Sequence, residues 1–124
     1  EPYLISGSLL GVVAQRLVRR VCPHCKKEIP TSGVVLRNGI EKAWRGAGCE
    51  RCNGTGYRGR IAVHEIVTID RNIRRMISRG AETEEIEAYA REQQGMRSLK
   101  EKGLELVKQG VTTPEELLRI AYYA

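Results

Sequence analysis

Residues 8–21 form the first stretch of the chain with a regular hydrophobic pattern. Leucine and valine recur there at four-residue spacing, as at Val13 and Leu17, which is the period of an amphipathic helix. Ser8 is a suitable N-cap, and the arginines of this stretch fall in its later turns, where cations suit the helix dipole. The pattern therefore predicts a helix over 8–21 that leads directly into Cys22.

Residues 22–60 have no such period and are rich in glycine. A segment of this composition does not sustain long regular elements and has to be held by something other than its own secondary structure. Residues 34–44 are compatible with either a short helical turn or a strand, and the pattern does not decide between them. Gly54, Gly56 and Gly59 predict tight turns or a close approach of two backbones.

The remainder of the chain predicts one strand followed by short helices. Residues 60–69 are rich in β-branched side chains, which is typical of a strand, and Asp70 then provides an N-cap. Hydrophobic positions at helical spacing follow to the end of the chain. Capping-box patterns at Ser98 with Glu101 and at Thr113 with Glu116, together with Pro114, place the last two helices over 98–109 and 114–122.

These elements predict an α+β fold that is mainly helical. The predicted division is a helical segment over 1–21, a small glycine-rich subdomain with short strands over 22–60, and a strand with a C-terminal helical subdomain over 61–124. The chain has no Phe, one Trp and five Tyr, so its core has to consist of Leu, Ile, Val and Ala. A core of that kind suits small helical layers.

The four cysteines carry the clearest chemistry in the sequence. They form two C-x2-C pairs separated by 23 residues, a spacing that lets each turn direct two sulfurs at one metal ion. The predicted zinc ligands are Cys22, Cys25, Cys49 and Cys52. Two disulfides or four unrelated buried thiols are the alternatives, which a glycine-rich segment with little core disfavours. Four thiolates leave zinc no open coordination position, so the predicted site is structural and not catalytic.

Other polar residues near these pairs are weaker candidates. His24 is the residue that could compete as a ligand, and Lys26, Lys27 and Arg51 could donate to the thiolates or screen their charge. His64 is interpreted as a half-exposed strand residue and not as a ligand or base, because no acid or nucleophile pattern surrounds it. The sequence predicts no catalytic residue.

The sequence also lacks the loop that would bind nucleotide phosphates. A phosphate loop of the G-x4-G-K-[ST] type requires a Gly-Lys dipeptide, and the chain has none. We therefore expect that this chain does not hydrolyse ATP by itself. It contains no apolar run long enough to span a membrane and no signal-peptide pattern, and because it begins at Glu1 we interpret it as a piece of a longer protein.

Three segments that together cover most of the chain resemble a known family. They are AQRLVRRVCPHC at 14–25, GCERCNGTGYRGRIAVHEI at 48–66, and REQQGMRSLKEKGLELVKQGVTTPEELLRI at 91–120. In this order they are similar to the C-terminal part of the type II secretion and type IV pilus assembly ATPases. Residues 54–60, 85–91 and 112–119 resemble the secretion branch more than the pilus branch. Residues 62–64 depart from the family pattern, which has Gly-Ile and an aromatic residue there.

The resemblance implies a role for the chain within a larger motor. The intact protein would be a cytoplasmic ATPase, peripheral to the inner membrane, that powers pseudopilus assembly and protein export. It would use ATP and magnesium, form a homohexameric ring and contact platform proteins of the membrane, with no nucleic-acid partner. Residues 1–21 would be the helical end of its ATPase core, and the four cysteines would carry over as zinc ligands. Arg16 would lie near the nucleotide edge, without an assigned role.

Two other classes of zinc module are compatible with parts of the sequence. The second cysteine pair with its glycines matches the repeat of Hsp40-type chaperones, but that family needs several copies and this chain has one. A zinc-ribbon nucleic-acid binder is favoured by the charge of residues 1–60, which carry eleven Lys and Arg against four acids. The zinc centre would add a charge of about minus two, and few aromatic residues accompany the cations.

Overall fold

A computed structural model describes residues 11–31 and 39–121 of the protein. Within these residues the strands are β1 (Gly11–Val21), β2 (Lys26–Ile29), β3 (Ala43–Gly46) and β4 (Tyr57–Thr68). The helices are α1 (Arg71–Ser78), α2 (Thr83–Gln94), α3 (Leu99–Lys108) and α4 (Pro114–Ala121). None of these helices, among the residues described, is both long and apolar enough to cross a bilayer.

The α+β class is confirmed, but the description as mainly helical is only partly right. The helices have 8, 12, 10 and 8 residues, and the strands have 11, 4, 4 and 12. The long strands β1 and β4 pair with each other, and the short strands β2 and β3 form an antiparallel hairpin. Strands therefore contribute nearly as much regular structure as helices.

The predicted helix over 8–21 is wrong for its described part, because residues 11–21 form strand β1. The prediction placed Val13 and Leu17 on a buried helix face, yet both side chains are exposed, and Val18 and Val21 are buried instead. The stretch is rich in valine and begins with a glycine, which lowers its intrinsic helix preference. Pairing with β4, which is distant in sequence, then favours a strand over a helix for residues 11–21. Residues 8–10 lie outside the described part.

Predictions for the second half of the chain are largely confirmed. Strand β4 covers most of the predicted 60–69, and Asp70 caps α1 by accepting a hydrogen bond from the Ile73 N–H at 2.9 Å. Helix α3 begins one residue after Ser98, and α4 begins at Pro114 as expected. These elements follow local signals, because caps and proline act within one turn of the residue that carries them.

The described residues divide into two compact units. One, here called the α1–α2 unit, contains residues 11–14 and 64–98; the other, the cysteine unit, contains residues 15–31, 39–63 and 99–121. Strands β1 and β4 contribute residues to both. The three-part division predicted from the sequence stays a prediction about the modules of the intact protein.

The cysteine unit has two apolar clusters, both built on helices α3 and α4. Val107 and Leu117 pack with Ile40 in one, and Val18 and Val63 pack with Ile120 in the other. The helices approach each other at Gly103, where an added Cβ would lie 2.8 Å from Leu117 Cδ1. Leu, Ile and Val thus form this core, as the composition predicted.

A buried carboxylate joins β1 to α4 in the same unit. Glu116 is 2% exposed, and it accepts hydrogen bonds from the backbone N–H of Arg19 at 2.8 Å and from the guanidinium groups of Arg19 and Arg119. Thr113 accepts the Glu116 N–H, which is half of the predicted capping box. The Glu116 carboxylate thus binds β1 and the two arginines.

Candidate metal centre

The two cysteine pairs lie at the same end of the β2–β3 hairpin. Cys25 immediately precedes β2, and Cys49 follows β3 by three residues. The hairpin register pairs Lys26 with Gly46, so the two chain segments next to the cysteines are neighbours across the ladder. The Ala47 N–H extends this contact by donating to the Cys25 carbonyl at 3.0 Å. Pairing of β2 with β3 thus brings together the two cysteine pairs, which 23 residues separate in the sequence.

The four sulfurs form a compact cluster. The Sγ atoms of Cys22 and Cys49 are 3.8 Å apart, as are those of Cys25 and Cys52. The Cys49 and Cys52 sulfurs are 3.7 Å apart, and all four lie within 4.8 Å of one another. A tetrahedral zinc ion with bonds of about 2.3 Å requires sulfur separations of about 3.8 Å. The cluster is therefore compatible with zinc.

The same distances exclude the predicted alternative of two disulfides in this structure. A disulfide bond is about 2.05 Å long, whereas the Sγ–Sγ separations given above are 3.7 and 3.8 Å and all four cysteines are free. Cys22 and Cys52 are buried, and Cys25 and Cys49 are half-buried. The thiols face one another in one cluster, so they are not four unrelated core residues.

Backbone amides point at the sulfurs. The Gly48 N–H donates to Cys25 Sγ at 3.3 Å, and Cys52 Sγ accepts from the N–H groups of Cys49 and Gly56, both at 3.2 Å. Amide donors stabilise a negatively charged sulfur and therefore favour the thiolate that a metal binds. These donors could not be identified from residue types, because every residue except proline carries an N–H.

The thiol pKa values differ within the cluster. Burial opposes ionisation of Cys52, but the amides of Cys49 and Gly56 outweigh it and lower the pKa of this thiol to about 6. Burial raises the pKa of Cys25 to about 11, helped by hydrogen bonds with the neighbouring thiols and opposed by the Gly48 amide. Four sulfurs this close do not all carry a negative charge unless a cation lies between them.

Glycine is required where the chain segments on either side of the second cysteine pair meet, at Gly46 and Gly56. A Cβ at Gly46 would lie 2.2 Å from the Gly56 carbonyl oxygen, a separation that no side chain permits. Gly56 also has φ of +81°, in the left-handed region, and its carbonyl accepts the Cys22 N–H at 2.9 Å. The predicted close approach of two backbones is thus confirmed at Gly56.

The side chains predicted to assist the thiolates are placed differently. Lys26, Lys27 and Arg51 are all exposed, and the Lys26 ammonium lies over the Trp44 ring, 5.3 Å from the centroid. His24 is exposed and is not part of the group that could hold a metal in the described chain. His64 is half-buried on β4, as predicted. Apart from the neighbouring thiols, the donors found at these sulfurs among the described residues are backbone amides.

Comparisons with known proteins agree with the resemblance in the sequence. The model of the family described as type II/IV secretion system protein matches residues 1–119. The chain is 48% identical to the type IV pilus assembly ATPase PilB of Thermus thermophilus over 95% of its length. It is 43% identical to the type II secretion system protein HxcR of Pseudomonas aeruginosa and 40% identical to the type II secretion system ATPase E of Vibrio cholerae, each over 97% of its length.

The chain is much shorter than these relatives. It spans 14% of the Thermus protein, 23% of the Pseudomonas protein and 25% of the Vibrio protein. The matches include both branches that the sequence resembled, so they do not separate secretion from pilus assembly. Because the family model covers nearly all of its residues, the chain belongs to the type II/IV secretion system protein family.

Proposed function

We propose that the four cysteines bind one structural zinc ion. The observation that carries the proposal is the sulfur cluster, whose shortest separations match the edge of a tetrahedral zinc–thiolate site. Zinc supplies four bonds that cross-link segments distant in sequence. With all four positions taken by sulfur, the site has no place for a reactive water, so its role is to hold the fold.

Among the described residues, the two cysteine turns (residues 22–25 and 49–56) are joined by the short β2–β3 ladder and a few backbone hydrogen bonds, which supports a role for a metal as an additional cross-link. Hairpin strands β2 and β3 have four residues each, and the apolar clusters of the unit lie on α3, α4 and their neighbours. Residues 22–60 are therefore proposed as a zinc-binding subdomain of the intact protein. Residues 61–124 would follow it as the C-terminal subdomain, and residues 1–21 would be the end of an ATPase core.

We further propose that the chain is the C-terminal portion of a secretion ATPase that powers pseudopilus assembly and protein export. Membership in the type II/IV secretion system family supports this, together with relatives named as secretion ATPases. ATP and magnesium would bind elsewhere in the intact protein, because the present sequence has no Gly-Lys dipeptide. The intact protein would work as a homohexamer in the cytoplasm, at the inner membrane beside platform proteins of the secretion system.

Type IV pilus assembly is the second candidate, and one observation favours it. The Thermus pilus assembly ATPase is 48% identical to the chain, against 43% for the Pseudomonas secretion protein. The sequence pattern of residues 54–60, 85–91 and 112–119 favours secretion instead. The intact protein should be tested for restoring export in a secretion-deficient strain and pili in a pilus-deficient strain. Restoration of pili alone would replace the secretion proposal by the pilus one.

The metal proposal is tested by measuring zinc in the purified chain. We expect one zinc ion per chain by elemental analysis, and loss of it in Cys49→Ser because three ligands no longer close the site. Arg51→Lys is the matched control, since it changes an exposed side chain in the same turn and keeps its charge. Stoichiometric zinc in Cys49→Ser would contradict the assignment of the ligands.

An activity measurement tests the placement of the chain within the motor. The chain alone, with its zinc bound, should show no ATP turnover above that of a buffer blank. Turnover by the pure chain, at a rate that follows protein concentration through size-exclusion fractions, would contradict the proposal that nucleotide chemistry lies elsewhere in the intact protein.

A further inference from the structure

A basic pocket lies beside the cysteine turns and has no role in the functions proposed above. Its cavity measures about 540 Å³, within the range of small-ligand sites. No acidic side chain is among its lining residues. The polar side chains that line it are those of Arg20, His24, Lys26, Arg51 and Arg58.

Four separate segments of the cysteine unit contribute these groups. Arg20 comes from β1 and Arg58 from its partner strand β4, so the strand pair presents two guanidinium groups to one cavity. His24 and Arg51 occupy the spacer positions of the first and second cysteine pairs. The turn between α3 and α4 closes the cavity at Gly110. Cations from distant parts of the chain thus converge in one place.

The position of Lys26 in this pocket is constrained by its neighbours. Gly110 is buried with φ of +74°, and a Cβ there would lie 2.7 Å from the Lys26 ammonium nitrogen. The ammonium also lies over the Trp44 ring. Because the Lys26 ammonium contacts both the Trp44 ring and the backbone of Gly110, the lysine is partly preorganised. This reduces the conformational entropy that it loses when it binds an anion.

The pocket cations are not used in the ion pairs found among the described residues. Those pairs involve Arg19, Lys42, Arg45, Arg79, Arg91 and Arg119. A zinc ion with four thiolates would add about minus two charges nearby. Three arginines and one lysine exceed that, so the pocket keeps a net positive charge. Arginine guanidinium groups match the geometry of phosphate oxygens in pairs of hydrogen bonds.

We propose that this pocket binds a small soluble anion that carries a phosphate group. The cavity size suits a compact ligand such as pyrophosphate or the phosphates of a nucleotide. Cations on several segments surround one concavity, and this favours a compact polyanion over an extended acidic chain, which would need charges along a line. The lining cations are not zinc ligands, so the phosphate proposal can fail while the metal proposal stands.

Calorimetric titration of the zinc-loaded chain with pyrophosphate at low ionic strength tests the site. We expect saturable binding that weakens about tenfold in Arg20→Gln and in Arg58→Gln, because each variant loses a charge-assisted hydrogen bond. Lys27→Gln is the control: it makes the same change in net charge beside Lys26, at an exposed residue outside the pocket, and should change the affinity less than about twofold. Zinc content and the far-ultraviolet spectrum show that each variant is folded.

Four outcomes would overturn the proposal. If wild-type chain with a full zinc complement does not bind pyrophosphate, the proposed phosphate site is wrong. The metal proposal is not affected by that result. Equal weakening by Lys27→Gln would show only general attraction to a basic surface. Binding of citrate as tightly as pyrophosphate would show that the pocket does not select phosphate. Binding of phosphatidylglycerol vesicles without binding of pyrophosphate would exclude a soluble phosphate ligand.

Discussion

The cysteine turns, residues 22–25 and 49–56, and the α3–α4 helix pair belong to the same unit but have different interiors. The helix pair buries Val107, Leu117 and Ile120 around a glycine contact, so apolar packing holds it. The cysteine turns bury sulfur atoms and backbone amides. Close packing stabilises the first without any ligand, whereas in the second the proposed zinc ion would offset the charge of the thiolates. A different perturbation should therefore destabilise each region.

Metal removal should produce the largest effect and separate the two regions. A strong chelator should release the zinc and unfold residues 22–60, because structural zinc contributes directly to folding free energy. Helices α3 and α4 should remain largely helical. Amide hydrogen exchange before and after chelation measures this region by region. Unchanged protection in both regions would show that the cysteine turns do not depend on metal.

Replacement of Glu116 should produce the next largest effect, since this carboxylate connects the helix pair to β1. Glu116→Ala leaves the part-buried backbone N–H of Arg19 without its acceptor and removes the carboxylate that the guanidinium groups of Arg19 and Arg119 bind. The arginines are about half exposed, so we expect a loss of about 2 to 3 kcal/mol, below the range for fully buried pairs. Urea denaturation measures it, with Glu115→Ala as the exposed neighbouring control.

Acidification should reveal the same interaction. Burial opposes ionisation of Glu116, but hydrogen bonds from Arg119 and Arg19 outweigh it and hold the pKa of the carboxyl below its ordinary value. Glu116 therefore stabilises the fold above the unfolded-state pKa of about 4.3, and this contribution is lost as the pH falls through the lower folded-state pKa. The stability of Glu116→Gln should fall less over this pH range than that of wild type.

A tighter helix contact should affect only the apolar region. In Gly103→Ala the new methyl group would meet Leu117 Cδ1 at 2.8 Å, so the helices have to separate or Leu117 has to move. We expect a loss of about 1 to 2 kcal/mol from overpacking, reduced by the better helix propensity of alanine. Zinc affinity, measured by chelator competition, should remain within about twofold of wild type. A large loss of affinity would show that the two regions are strongly coupled.

The smallest effect is expected in the α1–α2 unit, outside both regions. Asp70→Ala removes the cap of α1 and the hydrogen bonds that Asp70 accepts from Tyr89 and Gln94. Caps of this kind contribute about 1 kcal/mol. Thermal unfolding measures the change, and Asp70→Asn should recover part of it because asparagine is also a good cap. Zinc content should be identical in both variants.

Sequence reasoning succeeded where the signal was carried by neighbouring residues. Asp70 and Pro114 lie at their predicted helix starts, and the C-x2-C spacing predicted a cluster that the structure contains. It failed for residues 11–21, where a four-residue hydrophobic repeat was interpreted as a helix. Glu116 was predicted as a reciprocal cap, but its carboxylate binds arginines, one of which is 97 residues away in sequence.

The sequence by itself determined the type and spacing of the four clustered thiols, the composition of the core and the positions of the helix caps. These follow from residue type and short spacing, because thiols bind soft metals and capping side chains reach only one turn along the chain. The tertiary structure alone decided that β1 is a strand, that Glu116 is buried, and that five basic side chains line one cavity. Each of these depends on contacts between residues far apart in sequence. Local periodicity carries no information about such partners, since pairing and burial are properties of the assembled chain.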